Sequence, residues 1–128
     1  MRSENESRAL VLSCYALAPA TLVLVEQGSG LAPVYAASMV VASLYHESEE
    51  RDFRATDYAL AFAVIAANLW MATHAVSLVY PLAGIGIVAL ALACYVMAHR
   101  RSYPSWHSAW HALSGLAGLV LAAGYRTK

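Results

Sequence analysis

The stretch Ser105-Trp106-His107-Ser108-Ala109-Trp110-His111 opens the last apolar segment of the chain and contains two histidines four residues apart. On an α-helix, residues i and i+4 lie on the same face, one turn apart. Two imidazoles at this spacing can bind one metal ion, as in helical zinc sites of the form HxxxH. The alternative is a pair of partly exposed or capped histidines that bind no metal. The rest of the sequence is needed to distinguish between a metal site and such a pair.

The composition is that of a membrane protein. The chain has 128 residues, of which 60% are hydrophobic and 12% charged, and its mean hydropathy is +0.54. Soluble domains average about 45–50% apolar and about 25% charged residues. The apolar residues form runs long enough to cross a bilayer core about 30 Å thick, which takes roughly 17–25 helical residues. The sequence therefore predicts an all-α, multi-pass transmembrane helix bundle.

Five apolar runs predict five helices in a single transmembrane domain, residues 1–128. The predicted spans are roughly 9–25, 31–46, 57–73, 75–98 and 105–124. A charged loop over residues 47–56 separates the second and third spans, His74 lies in a short turn, and residues 99–104 form the loop before the fifth span. His74 and His99 are thus assigned to loops, without a role.

Charge and cysteine content exclude two other classes. Eight basic and eight acidic residues give zero net charge, so the basic patch expected of a nucleic-acid-binding protein is absent from the composition. Cys14 and Cys94 both lie inside apolar runs. We interpret them as small buried hydrophobic residues and not as a disulfide framework.

The positions of the basic residues predict the orientation in the membrane. With five crossings, the N-terminus, the 47–56 loop and the 99–104 loop share one side, and they hold six of the seven arginines. By the positive-inside rule this side is cytoplasmic, and the C-terminus lies outside. The use of seven arginines against a single lysine favours a bacterial source, and so a bacterial inner membrane.

This topology brings four chemically active residues to one membrane face. His46 ends the second predicted helix, Asp57 begins the third, and His107 and His111 begin the fifth, all on the cytoplasmic side. Ionisable groups inside membrane spans are costly and usually functional. Three imidazoles leave a tetrahedral zinc ion (Zn²⁺) one open position, as in catalytic sites, where the ion activates a water molecule as the nucleophile. Ser43 lies one turn before His46.

The two remaining groups have predicted catalytic roles. Asp57 is expected to act as a general base or to orient a histidine or the water. Ser43 is expected to donate a hydrogen bond to a substrate carbonyl oxygen. Each also has an ordinary interpretation, because Asp57 could be a charge favoured at a helix N-terminus and Ser43 a small packing residue. Asn68 falls on nearly the same helical face as Asp57, with packing or a hydrogen bond inside the bundle as its expected role.

The segments Ser43-Leu44-Tyr45-His46, Asp57-Tyr58 and His107 to His111 resemble the CREST superfamily of membrane hydrolases. That superfamily includes the alkaline ceramidases, the progestin and adiponectin receptor group, Per1-type proteins, and the group of myomaker and the GPI-directed phospholipase A2, which is the most similar. The resemblance implies a zinc ion held by His46, His107 and His111, beside Asp57 and a serine. Family members usually have seven helices and a serine four residues before the first histidine, where this chain has Ala42.

The expected function is zinc-dependent hydrolysis of an acyl ester or N-acyl amide of a membrane lipid, because the site lies near headgroup depth. The first alternative is a non-enzymatic receptor or membrane-remodelling protein with a structural zinc site. A metal transporter is the second alternative. Transport requires further ligands spaced along the membrane depth, and the fourth predicted helix supplies only Cys94.

Overall fold

The computed structural model describes residues 4–48 and 51–126, and within these residues it contains helices and no strand. The helices are α1 (Glu4–Cys14), α2 (Ala18–Glu26), α3 (Ala32–Ser48), α4 (Arg51–Thr73), α5 (Val79–Arg100) and α6 (Tyr103–Gly124). A 3₁₀ turn, Tyr15–Leu17, joins α1 to α2, so that Glu4–Glu26 runs as one helical segment. The predicted five-helix, all-α bundle is confirmed.

Three of these segments are long and apolar enough to cross a membrane: Glu4–Glu26, Asp52–Thr73 and Val79–Arg100. Helix α3 has 17 residues and α6 has 22. Their crossing of the bilayer stays a prediction from the sequence. The many large apolar side chains that face outward, such as Phe62, Leu78 and Leu82 at 70% or more exposed, are consistent with a membrane protein.

The predicted loop over residues 47–56 was wrong. Helix α3 continues to Ser48 and α4 begins at Arg51, so most of the charged stretch is helical, and Glu49 and Glu50 lie outside the described residues. Arginine and glutamate are good helix formers, so a segment that is not hydrophobic can still be helical. For the same reason α1 begins five residues before the predicted start, with an ion pair of 2.6 Å between Glu4 and Arg8 at i,i+4 spacing.

Two further boundaries differ from the prediction. His99 belongs to the last turn of α5 and not to a loop, and its Nδ1 lies 3.0 Å from the carbonyl oxygen of Tyr95. Helix α5 begins at Val79 and not at residue 75, because residues 74–78 form a turn in which Ala75 pairs with Tyr125.

Helix α6 lies at the centre of the bundle and contacts α1, α2, α4, α5 and the 3₁₀ turn. Gly115 permits the closest approach, since a Cβ atom at this position would lie 2.1 Å from the carbonyl oxygen of Ala16. Gly118 similarly faces the ring of Tyr35. Small residues at such crossings let helix backbones pack closely. The approach at Gly115 fixes the end of α1 against the middle of α6.

A buried hydrogen bond joins α3 to α4. The Tyr35 hydroxyl donates to Oδ1 of Asn68, and Tyr35 and Asn68 are 0% and 5% exposed. Buried polar groups need such partners because an unmade hydrogen bond is expensive inside the protein. Of the two roles that the sequence leaves open for Asn68, the structure thus shows the hydrogen bond inside the bundle.

Candidate metal centre

Three histidine rings meet between α3 and α6. The ring centroid of His46 lies 5.0 Å from that of His107 and 5.3 Å from that of His111, and the last two are 4.8 Å apart. His46 is fully buried, and His107 and His111 are 7% and 8% exposed. Helix α6 places its two histidines one turn apart on the face toward α3, as the HxxxH spacing predicts. The structure therefore brings the three predicted histidines together in the interior.

The closest donor atoms belong to two of these histidines and to a cysteine. The Nε2 atoms of His46 and His111 lie 3.2 Å apart, and the Cys14 Sγ lies 4.0 Å from Nε2 of His111. The ligand atoms of Cys14, His46 and His111 all lie within 4.8 Å of one another, which is close enough to bind one metal ion. His107, the third predicted ligand, is not part of this tight group, although its ring packs against both histidines. With metal–nitrogen bonds of 2.0–2.1 Å, two nitrogens on a tetrahedral ion are about 3.3 Å apart, so the spacing of the two imidazoles suits a shared ion.

Sequence reasoning missed Cys14 as a member of this cluster. The two cysteines were interpreted as small buried hydrophobic residues, and Cys14 is indeed fully buried. The depth of Cys14 along its helix, compared with that of His111, could have identified it as a candidate ligand. Cys14 is the eleventh residue of α1 and His111 the ninth of α6, and both helices begin on the predicted cytoplasmic side.

Asp57 lies on one side of the cluster, at a cavity. It lines this cavity together with His107, His111, Tyr95 and Trp110. Among the described residues, the tight group of metal-binding atoms includes no carboxylate. Asp57 therefore lies outside the tight group but shares a cavity with two of the three histidines.

Ser43 lies on another side, next to Cys14. Its hydroxyl donates to the Met39 carbonyl oxygen at 2.8 Å. Ser43 is not among the residues that line the cavity with Asp57. Ala42, at the position where the similar family carries its serine, is buried.

The cavity continues as an apolar groove between α4 and α5. Its deeper wall includes Val64 and Ile65 from α4 and Val88 and Ala91 from α5. A second apolar pocket shares several of these lining residues and includes Phe62 and Leu92, both of which are exposed on the surface of the bundle. A hydrophobic surface thus lies next to the cavity of the cluster.

The other two histidines lie apart from the cluster. His74 stacks on Trp70 with ring centroids 4.1 Å apart, and His99 packs against Tyr95 and is exposed. His74 is therefore the suitable control for the three clustered histidines, since Tyr95, on which His99 packs, also lines the cavity.

The donors of the cluster suit a transition metal. Imidazole nitrogens and a thiol sulfur are the ligands that zinc takes in proteins, whereas calcium and magnesium take oxygen ligands.

In comparisons with protein-family models, curated proteins and solved structures, nothing matches this chain.

Proposed function

We propose that the protein is a zinc-dependent hydrolase that cleaves an acyl ester or N-acyl amide bond of a membrane lipid. The observation that carries the proposal is the shared cavity: His107, His111 and the carboxylate of Asp57 line one cavity whose remaining wall is mostly apolar, with Ser38, Asn68 and Ser114 as its other small polar residues. A buried metal-binding cluster, a general base and a hydrophobic binding surface are the three parts that lipid hydrolysis requires. The resemblance to the CREST hydrolases points to the same chemistry.

In this proposal His46, His107 and His111 hold the zinc ion. When bound, the ion would polarise the carbonyl of the substrate and activate a water molecule. The carboxylate of Asp57 removes a proton from the attacking water and returns it to the departing oxygen or nitrogen. The rings pack edge to face against one another, which fixes the direction in which each nitrogen points.

In this proposal Ser43 contributes less to hydrolysis than Asp57 does. The proposed donor to the carbonyl oxygen in the similar family lies four residues before the first histidine, and Ser43 lies three before it. Its hydroxyl already donates to the Met39 carbonyl oxygen, so a substrate would have to compete for that hydrogen. We therefore expect Ser43 to assist hydrolysis without being essential.

A lipid substrate suits the surroundings of the cluster. The groove between α4 and α5 can hold an acyl chain along Ile65 and Val88, with the scissile bond at Asp57. Asp57 lies near the start of α4, on the side that the arginine distribution makes cytoplasmic, at the depth where ester and amide linkages of lipids lie. The lipid would come from the cytoplasmic leaflet of the membrane, in the proposed bacterial case the inner membrane.

One observation favours the alternative of a receptor or remodelling protein with structural zinc. Cys14 stands beside the histidines and could complete four protein ligands, which is the pattern of closed structural sites. The two functions differ in whether lipid is consumed.

The deciding experiment measures fatty acid release. Zinc-loaded protein in detergent or liposomes is incubated with a panel of ceramides, phospholipids and lysolipids. We expect cleavage of at least one class by the wild type and by His74→Ala, which changes an exposed histidine that stacks on Trp70. We expect loss of cleavage in His46→Ala. Folded, zinc-loaded protein that cleaves no member of the panel would refute the hydrolase and leave the structural alternative.

A further inference from the structure

We propose that the thiolate of Cys14 is a ligand of the same metal ion. The inference rests on the proposed metal centre and not on lipid hydrolysis. The Cys14 Sγ lies 4.0 Å from Nε2 of His111, and no part of Cys14 is exposed. On a tetrahedral ion with bonds of about 2.3 Å to sulfur and about 2.05 Å to nitrogen, these two atoms would be about 3.6 Å apart. A shift of a few tenths of an ångström therefore completes the contact.

The fold holds Cys14 at this place for reasons independent of any metal. The residue ends α1 directly before the 3₁₀ turn, and Ala16 in that turn lies against Gly115 of α6. Gly115 follows His111 by one helical turn. The packing that fixes Ala16 therefore also fixes the height of the Cys14 sulfur relative to the His111 ring.

Coordination replaces one weak contact of the thiol with a strong one. The Cys14 Sγ now donates to the Leu10 carbonyl oxygen at 3.3 Å, an ordinary contact for a thiol in a helix. On metal binding the S–H bond breaks, the sulfur–metal bond forms, and the proton leaves to water. The hydroxyl of Ser43 would have to leave the Met39 carbonyl oxygen to donate a hydrogen bond to the bound thiolate, which is the kind of contact that orients and tunes a ligand.

Two properties follow from a sulfur ligand. A thiolate beside imidazoles selects zinc, cobalt or cadmium over magnesium, manganese or calcium. Together with His46, His107 and His111 it also supplies four protein donors. Lipid or water then reaches the ion by displacing Cys14, so the thiolate would control access to the centre.

The test is a cobalt(II) titration of metal-stripped protein in detergent, followed by absorption spectroscopy. A thiolate ligand gives a sulfur-to-cobalt charge-transfer band in the near ultraviolet, whereas imidazole ligands alone give only the visible bands. We expect both features in the wild type and in Cys94→Ser, which removes the other cysteine of the chain. In Cys14→Ser we expect the charge-transfer band to vanish, the visible bands to persist, and the cobalt affinity to fall by at least about tenfold.

The wild-type spectrum decides even if the Cys14→Ser protein does not fold. Visible bands without the charge-transfer band would show that Cys14 is not a ligand. Failure of folded wild-type protein to bind cobalt at all would overturn both the inference and the metal centre. A charge-transfer band in a protein that cleaves no lipid would support the inference and reject only the hydrolase.

Discussion

The Nε2 atoms of His46 and His111 lie 3.2 Å apart, although 65 residues separate the two histidines in the sequence. At this distance the two nitrogens cannot both carry a proton and face each other. Either one donates a hydrogen bond to the other, or a metal ion binds both. His46 is fully buried and His111 nearly so, and either state therefore lies inside the bundle, away from bulk water.

Metal content gives the first prediction. Purified protein should bind about one zinc per chain, and His46→Ala and His111→Ala should each abolish this binding because the two nitrogens share the ion. Zinc at a hundred times its dissociation constant should stabilise the wild type by about 2.7 kcal/mol, since the ion binds the folded state. Elemental analysis and thermal unfolding with and without chelator measure both effects.

His74→Ala is the control for this experiment, because His74 stacks on Trp70 away from the cluster. It should retain zinc and the full thermal shift. Equal zinc content in His46→Ala and the wild type would contradict the metal centre.

Asp57 gives the second prediction. Asp57→Asn should retain zinc, because its carboxylate is not in the tight group of donor atoms, but should lower lipid hydrolysis by about 10²–10⁴-fold, as expected for loss of a general base. Fatty acid release and zinc content are measured on the same samples. Asp52→Asn, which changes an exposed carboxylate on the same helix, should leave both unchanged. If Asp57→Asn loses zinc as completely as His46→Ala, Asp57 is a ligand and its assignment as a base is wrong.

Gly115 gives the third prediction. In Gly115→Ala the new methyl group would overlap the Ala16 carbonyl, and α6 or the 3₁₀ turn must move. We expect a loss of about 1–3 kcal/mol in the free energy of unfolding. Zinc affinity should fall as well, because Cys14 moves with the turn. Thermal unfolding in detergent and a zinc titration test the two effects.

Gly86→Ala is the matched control, since nothing lies within 4 Å of the added methyl group and the position is likewise helical. Alanine is the better helix former there, so stability should be equal or slightly higher. A Gly115→Ala protein that unfolds like the wild type would show that the close approach of α6 to Ala16 is not present in solution.

Membrane topology gives the fourth prediction. Single cysteines replace exposed serines in a chain that lacks Cys14 and Cys94. Ser48→Cys, after α3, and Ser102→Cys, before α6, should react only with a reagent on the cytoplasmic side. Ser77→Cys, in the turn between α4 and α5, should react only from outside. Labelling of Ser48→Cys and Ser77→Cys from the same side would mean that α4 does not cross the membrane.

The helices and the meeting of the histidines could be predicted because hydrophobic length and depth along a span are linear properties of the sequence. His46 and His111 lie near the ends of spans that share one side, and counting residues along each span is enough to bring them to one level. The start of α4 could not be predicted in this way. Arg51, Asp52 and Arg54 lower the hydropathy of the segment without lowering its tendency to form a helix.

Cys14 was missed for a different reason. Cysteine is both a common buried hydrophobic residue and a metal ligand, and only its neighbours in space distinguish the two. Those neighbours come from α3 and α6, and their rotation about the helix axes is set by packing at positions such as Gly115. The depth of each residue along its helix can be counted from the sequence, but the sequence does not show which side of each helix faces its neighbours.

The separation of Cys14 from His111 has a consequence for how the protein is made. Their sulfur and nitrogen atoms are 4.0 Å apart, yet the two residues are 97 positions apart in the sequence. During synthesis Cys14 and His46 leave the ribosome long before α6 does, so the thiol is without His111 until the last helix is made. A metal site that needs His111 can therefore form only after the last helix has packed beside the first. A bound ion would then mark a fully assembled chain, because a chain without α6 lacks both His107 and His111.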